Sequence, residues 1–204
     1  MIGITVATLS WLEMAEEAAW RWTKHTGLPA RIIEARDRHE VQMTKMSLES
    51  RCWFFDADLW FVRDVRLPEL CGHCVFGTPV VPSSKGRDLI RSWARRAGAD
   101  PACWISSGLY GADWNAPSPQ TALSRARQHA MQWRIGQRDE ESLNVGFQHA
   151  GLPVALLPAA YNWHPRCGAG YGYRPPGGIL AIHAGDVPAE EKREFLERHT
   201  GKYR

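Results

Sequence analysis

Hydrophobic residues fall along this chain in short runs separated by stretches with a helical period. Ile2-Gly3-Ile4-Thr5-Val6-Ala7 is rich in β-branched residues and predicts a strand. After it, Leu12, Ala15, Ala19 and Trp22 recur on one helical face, and Ser10 with Glu13 three residues later has the letters of a capping box. Gly27 and Pro29 predict the end of that helix, and residues 30–35 predict a second strand. A more polar helix is expected over about residues 40–50, ahead of the apolar run Cys52-Trp53-Phe54-Phe55. This rhythm predicts an α/β fold with a mostly parallel central sheet flanked by helices.

The rest of the chain continues the alternation. Leu59-Trp60-Phe61-Val62 is apolar, strands are expected over 75–81, 104–111 and 179–183, and residues 154–157 form another apolar segment. Helices are expected over 85–97, 139–148 and 188–200. The arginines of the first of these, Arg87, Arg91, Arg95 and Arg96, read as a solvated face. From Cys167 to Gly178 glycine and proline exclude a regular element, and the segment is a candidate lid. Its glycine spacing lacks the flanking strand and helix of a dinucleotide fingerprint.

A chain of 204 residues with 44% hydrophobic content can bury one substantial core, so a single domain over 1–204 is expected. The net charge of +3, from 25 basic and 22 acidic residues, is spread along the chain. It does not argue for nucleic acid and suits a small anionic ligand. No run of about 18 or more apolar residues exists, and the first residues lack a basic region followed by a long apolar segment. A soluble, cytoplasmic protein without a transmembrane segment is therefore expected. Five cysteines, an odd number, favour a reducing compartment.

Candidate chemistry concentrates where the third apolar run stops at Asp56-Ala57-Asp58. In extended chain, residues i and i+2 project to the same side about 6–7 Å apart, so both carboxylates can face one hard divalent cation. His183, at the end of the last expected strand, is a further candidate ligand. In open α/β sheets, ligands bind at the carboxyl ends of strands. Gly108 lies in an expected strand, where glycine lets a ligand approach the backbone. Asp139, Glu140 and Glu141 open an expected helix and also suit its dipole.

Other residues carry competing readings. Cys71-Gly72-His73-Cys74 has the letters of a redox pair, yet a strand-like segment follows it where such a pair needs a helix. A different reading joins Cys71 and Cys74 with His164 and Cys167 as a structural zinc site. Trp60, Trp104, Trp114 and Trp163 can stack on sugars, although such residues more often fill cores.

Phe54-Phe55-Asp56-Ala57-Asp58 resembles the Asp-x-Asp motif of GT-A glycosyltransferases. Later segments are similar to the glycogenin and bacterial lipooligosaccharide galactosyltransferase group, in that group's order. Ile105-Ser106-Ser107-Gly108 resembles its Asn-Ala-Gly strand, and Asp139-Glu140-Glu141-Ser142-Leu143-Asn144 its Asp-Gln-Asp-x-Leu-Asn. Leu157-Pro158 with Asn162 resembles its Leu-Pro…Trp-Asn, and Ile182-His183 its late Ile-His. The resemblance implies a GT-A-like nucleotide-diphospho-sugar transferase fold and a nucleotide-sugar donor, with a UDP-sugar expected. It also implies Mn2+ or Mg2+ held by Asp56, Asp58 and His183, and transfer with retention to an acceptor that the sequence does not name.

In the same resemblance Asp139 and Glu140 are the catalytic residues, with Glu140 standing where the group has glutamine beside the anomeric carbon. Donor contacts carry over to Asp56, Ser106, Gly108 and Thr8, with Lys45 the candidate phosphate cation and Lys192 a second. Ser106 replaces the group's asparagine, no Lys-Pro-Trp ending follows His183, and Thr8-Leu9-Ser10 stands where acidic and aromatic residues usually hold the base. Two rivals are a non-catalytic binding protein on the same scaffold and a phosphatase of the haloacid dehalogenase type. The latter needs Thr or Val where Trp60 stands.

Overall fold

The strand that leads to Asp56 is buried from Cys52 to Phe55, and the molecule is layered on either side of it. The structure is a computed structural model that describes residues 1–80, 84–132, 139–165, 178–185 and 187–201, without the side chains of 84–87 and 89. In chain order the elements are β1 (Ile2–Thr8), α1 (Leu12–Thr26), β2 (Ala30–Ala35), α2 (Arg38–Lys45), β3 (Arg51–Phe55), β4 (Leu59–Phe61) and β5 (Val75–Pro79). There follow α3 (Ser84–Ala97), β6 (Ile105–Asp113), α4 (Pro117–Gln132), α5 (Asp139–His149), β7 (Val154–Leu156), β8 (Ala181–His183) and α6 (Lys192–Thr200). The candidate lid, residues 167–178, lies almost wholly outside the described residues.

A six-stranded sheet has the order β2-β1-β3-β6-β5-β7, and β4 pairs with β8 in a separate two-stranded ribbon. β1 is parallel to β2 and to β3, and β5 to β7, while β6 runs antiparallel to both of its neighbours. The sheet is thus mostly parallel with one reversed strand.

Alternation along β3 divides the core between the two faces of the sheet. Trp53 and Phe55 pack with Trp22 of α1, Leu59 and Phe61 of β4, Ile182 of β8 and Leu196 of α6. Cys52 and Phe54 face the other way, with Tyr110, Trp114, Leu123 of α4 and Phe147 of α5. The indole of Trp22 stacks on Phe55 with centroids 4.6 Å apart. Gly3 makes room for it, since a Cβ there would lie 2.4 Å from Trp22.

Several local expectations change. Residues 9–11 form a short 3-10 turn, so α1 begins at Leu12 without a side-chain cap, and Ser10 instead lies 3.1 Å from the Thr8 hydroxyl. The second helix is shorter than its pattern predicts, and Asp37 caps it by accepting from the Glu40 amide. No pattern predicts α4, whose buried face is Pro119, Ala122, Leu123 and Ala126, residues too small to give a strong periodic signal. No helix among the described residues is long and apolar enough to cross a membrane.

Candidate active site

The strand ends one residue before the first aspartate. Asp56-Ala57-Asp58 is a turn closed by the Leu59 amide donating to the Asp56 carbonyl at 3.0 Å. The extended-chain geometry expected for the two aspartates is therefore replaced by a bend, after which the chain leaves the large sheet. It enters β4, where Leu59 pairs with His183 of β8. This ladder brings His183 to Asp58 across 125 residues of sequence, and the Ala184 amide donates to the Asp58 carbonyl at 3.1 Å.

Three donor atoms converge there. His183 Nε2 lies 3.1 Å from Asp58 Oδ1 and 3.5 Å from Asp56 Oδ2. Adjacent corners of an octahedral shell with bonds of about 2.1 Å are about 3 Å apart, so these residues fit a hard divalent ion. Two carboxylate oxygens with one imidazole nitrogen also suit manganese or magnesium chemically. His183 Nδ1 lies 3.1 Å from His164 Nε2, which leaves Nε2 directed at the aspartates.

Two lysines enclose the carboxylates. Lys45, 6% exposed, bridges Asp56 Oδ1 at 2.7 Å and Asp139 Oδ2 at 2.5 Å. Burial alone would lower its pKa, but Asp139 and Asp56 outweigh burial and hold the ammonium above the ordinary lysine range. Lys192, from the first turn of α6, bonds Asp58 Oδ2. Burial raises the Asp58 carboxyl, yet His183 and then Lys192 prevail and hold it well below the usual carboxylate range. For Asp56, burial outweighs Lys45, and the nearby Asp58 adds to it, so that carboxyl is raised. Burial also raises Asp139, but its pairing with Lys45 wins and lowers it.

Behind this cluster, β6 and α5 are locked together by Asn144. Its Oδ1 accepts from the Ile105 amide at 2.8 Å, and its Nδ2 donates to the carbonyls of Ile105 and Glu140. Glu140 is thereby held at the opening of α5, where the Ser107 amide donates to its Oε2 at 3.4 Å. Burial first, then the charge of Asp139, push its carboxyl up to about 7. Ser106 is buried with its hydroxyl accepting from the Gly108 amide at 3.2 Å, so it shapes the backbone of β6.

Gly108 makes room for a side chain of this protein. A Cβ there would lie 2.5 Å from His183 Cε1 and 2.8 Å from its Nδ1. Gly108→Ala is expected to displace the imidazole, costing about 1–3 kcal/mol of stability and a larger share of metal affinity. Titration of the variant with manganese, beside its thermal unfolding, checks this.

The structure thus brings together Asp56, Asp58, His183, Lys45 and Asp139, with Glu140, Ser106 and Gly108 on the adjoining elements. Thr8 is at the carboxyl end of β1, the strand beside β3. His164 and Trp11 are additional. Trp11 follows β1 directly, and Lys192 Nζ lies 5.2 Å from the centroid of its ring. Its position just past a strand's carboxyl end was the only sequence signal available. His164 lies against His183, so the zinc grouping of Cys71, Cys74, His164 and Cys167 is corrected; Cys167 itself lies outside the described residues. Trp60, Trp104, Trp114 and Trp163 are at most 5% exposed and belong to the core, not to a sugar platform.

This sheet, with its acidic turn at the carboxyl end of the central strand, is the GT-A glycosyltransferase fold. No protein-family model matches the chain, and no curated protein matches it by sequence. Among solved structures it is similar to the galactosyltransferase LgtC in complex with donor and acceptor sugar analogs, with a TM-score of 0.69 at 10% identity. That match covers 100% of this chain and 95% of LgtC. It is also similar to the bifunctional glycosyltransferase WbbM in its apo form, with a TM-score of 0.65 at 9% identity. The latter match covers 91% of this chain but only 45% of WbbM, so the chain spans less than half of that protein. The fold is not that of a haloacid dehalogenase phosphatase, and Trp60, where that motif needs Thr or Val, is buried in β4 opposite Ile182.

Proposed function

We propose that the chain is a metal-dependent glycosyltransferase that moves a sugar from a nucleotide-sugar donor, first of all a UDP-sugar, to an acceptor with retention of anomeric configuration. The observation that carries this reading is the convergence of Asp56 Oδ2, Asp58 Oδ1 and His183 Nε2 at the carboxyl end of β3 in a GT-A sheet. These residues would hold manganese or magnesium, which when bound neutralises charge developing on the departing diphosphate.

The chain's own residues supply the remaining parts. Lys45 fixes Asp56 and Asp139 in one orientation by bridging them. Its charge is already met by two carboxylates, so in this reading Lys192 is the cation that turns to the diphosphate when Asp58 is engaged elsewhere. Trp11, beside Lys192, offers an aromatic face for the base, with Thr8 at the same end of β1. Glu140 sits on the sugar side, and its carboxylate either stabilises positive charge at the anomeric carbon or attacks it.

The raised pKa of Glu140 gives a stability prediction. Its carboxyl titrates near 4.5 when unperturbed and at about 7 in the fold, so the folded chain binds more protons between these values. Stability therefore falls as pH rises from 4.5 to 7, and the cost stays constant above. Glu140→Gln removes a cost on the order of 3 kcal/mol. The variant should match the native chain near pH 4 and exceed it at pH 8, as thermal midpoints at the two values will show.

The activity is tested by incubating the chain with manganese and α-linked UDP-glucose, UDP-galactose and UDP-N-acetylglucosamine, with water as the acceptor. UDP release identifies the donor, and NMR of the first sugar formed gives its anomer. The α-anomer is expected; the β-anomer contradicts retention. Donor binding without UDP release, even with candidate acceptors added, favours the non-catalytic scaffold.

A further inference from the structure

A second group of metal-ligating side chains lies at the opposite end of the sheet. Cys71, His73 and Cys74 precede β5, and their ligand atoms all lie within 4.8 Å of one another. The two sulfurs are 3.2 Å apart. The Cys71 carbonyl accepts from the Asp113 amide at 3.0 Å, and Asp113 pairs with Arg51 at the opening of β3. Asp56 follows the other end of that strand, and five residues at about 3.3 Å each put roughly 16 Å between the two groups along the strand.

The loop is held in place rather than hanging free. Gly72 packs so closely on Ala116 that a Cβ would lie 2.5 Å from the alanine Cβ. Arg51 bridges Asp113 of β6 at 3.3 Å and Glu69, just before the loop, at 3.5 Å, which links the entry of the loop to β3.

The chemistry of the donor set selects the ion. Two sulfurs and an imidazole are ligands for zinc and other ions with an affinity for thiolate, whereas Asp56, Asp58 and His183 suit a hard ion. Tetrahedral bonds of about 2.3 Å to sulfur and 2.0 Å to nitrogen space the ligand atoms about 3.5–3.8 Å apart. The observed spacing reaches this with small side-chain movements. A redox pair instead opens a helix, and here the chain passes through a bend into β5.

We propose that Cys71, His73 and Cys74 form a zinc site, separate from the sugar-nucleotide centre, that clamps the loop before β5 and leaves one coordination position open. It stands whether or not the chain transfers sugar.

The test uses the full chain, fully reduced and stripped of metal, titrated with cobalt as a spectroscopic probe and then with zinc. One equivalent of cobalt should produce a thiolate-to-cobalt charge-transfer band, which zinc bleaches. The band should vanish in Cys71→Ser, persist in Asp58→Ala, and need at least tenfold more cobalt in His73→Ala. The His73 side chain is exposed, so that variant is decisive should Cys71→Ser fold poorly. A reduced chain that shows no such band, or a band unchanged in Cys71→Ser or His73→Ala, overturns the proposal. So does a chain that forms the Cys71–Cys74 disulfide in air but takes up no cobalt after reduction, which identifies a redox pair instead.

Discussion

Lys45→Met is expected to destabilise the metal-stripped chain by about 3–5 kcal/mol, a large share of the stability of a chain this size. Methionine retains most of the apolar stem, so packing changes little. What is lost is the ammonium that meets Asp56 at 2.7 Å and Asp139 at 2.5 Å in a position only 6% exposed. Two buried carboxylates are then left without their shared cation. Denaturant unfolding should show a lower midpoint with an unchanged slope. The double variant Lys45→Met with Asp139→Asn should recover part of the loss, because it removes one of the stranded charges. A loss below about 1 kcal/mol would mean that water reaches this bridge and that it behaves as a surface ion pair.

Asp58→Ala carries the largest expected effect on turnover, a loss of at least about 10³-fold in kcat at saturating donor. The substitution removes one donor atom of the metal centre and releases both His183 and Lys192 from their shared carboxylate. Asp58→Asn keeps the shape of the side chain but not its charge. It should fold better than the alanine variant while being nearly as inactive. If either variant retains turnover within tenfold of the native chain, the centre lies elsewhere. Circular dichroism of each variant separates loss of chemistry from loss of fold.

Much of the architecture was legible where periodicity was strong. The opening β-α-β unit follows from β-branched residues, a helical stripe through Trp22, and Gly27 with Pro29 as the stop. The burial of β3 follows from three large apolar residues in succession. Strand direction does not follow, because alternation of polar and apolar residues carries no polarity; the reversal of β6 rests on contacts with two sequence-distant neighbours. α4 was silent for a related reason, since alanines that pack closely against α5 look unremarkable in sequence. Gly146 of α5 lies so near Ala122 and Ala126 that a Cβ there would come within 2.8 Å of both.

At the site, residue types were legible and partners were not. An apolar run ending in Asp-x-Asp marks a functional edge, and a histidine closing a late strand marks a second one. That β4 leaves the sheet to pair with β8, joining these edges, is a tertiary fact. Lys45 could be assigned to the site, but its bridging of Asp56 and Asp139 could not, because the latter bond spans 94 residues. His164 illustrates the opposite error. Its spacing to Cys167 suggested a ligand pair with Cys71 and Cys74, while the fold directs it to His183.

The proposed metal-dependent site for a nucleotide sugar rests on Asp56, Asp58 and His183. Its most direct test is thermal unfolding of the native chain and of His183→Ala with UDP and with each UDP-sugar, in the presence and absence of manganese. A ligand at a hundred times its dissociation constant should add about 2.7 kcal/mol of stability. The native chain should gain that stability only when manganese is present, and His183→Ala should gain little or none. Equal stabilisation without metal, or in the His183→Ala chain, would contradict the proposed site.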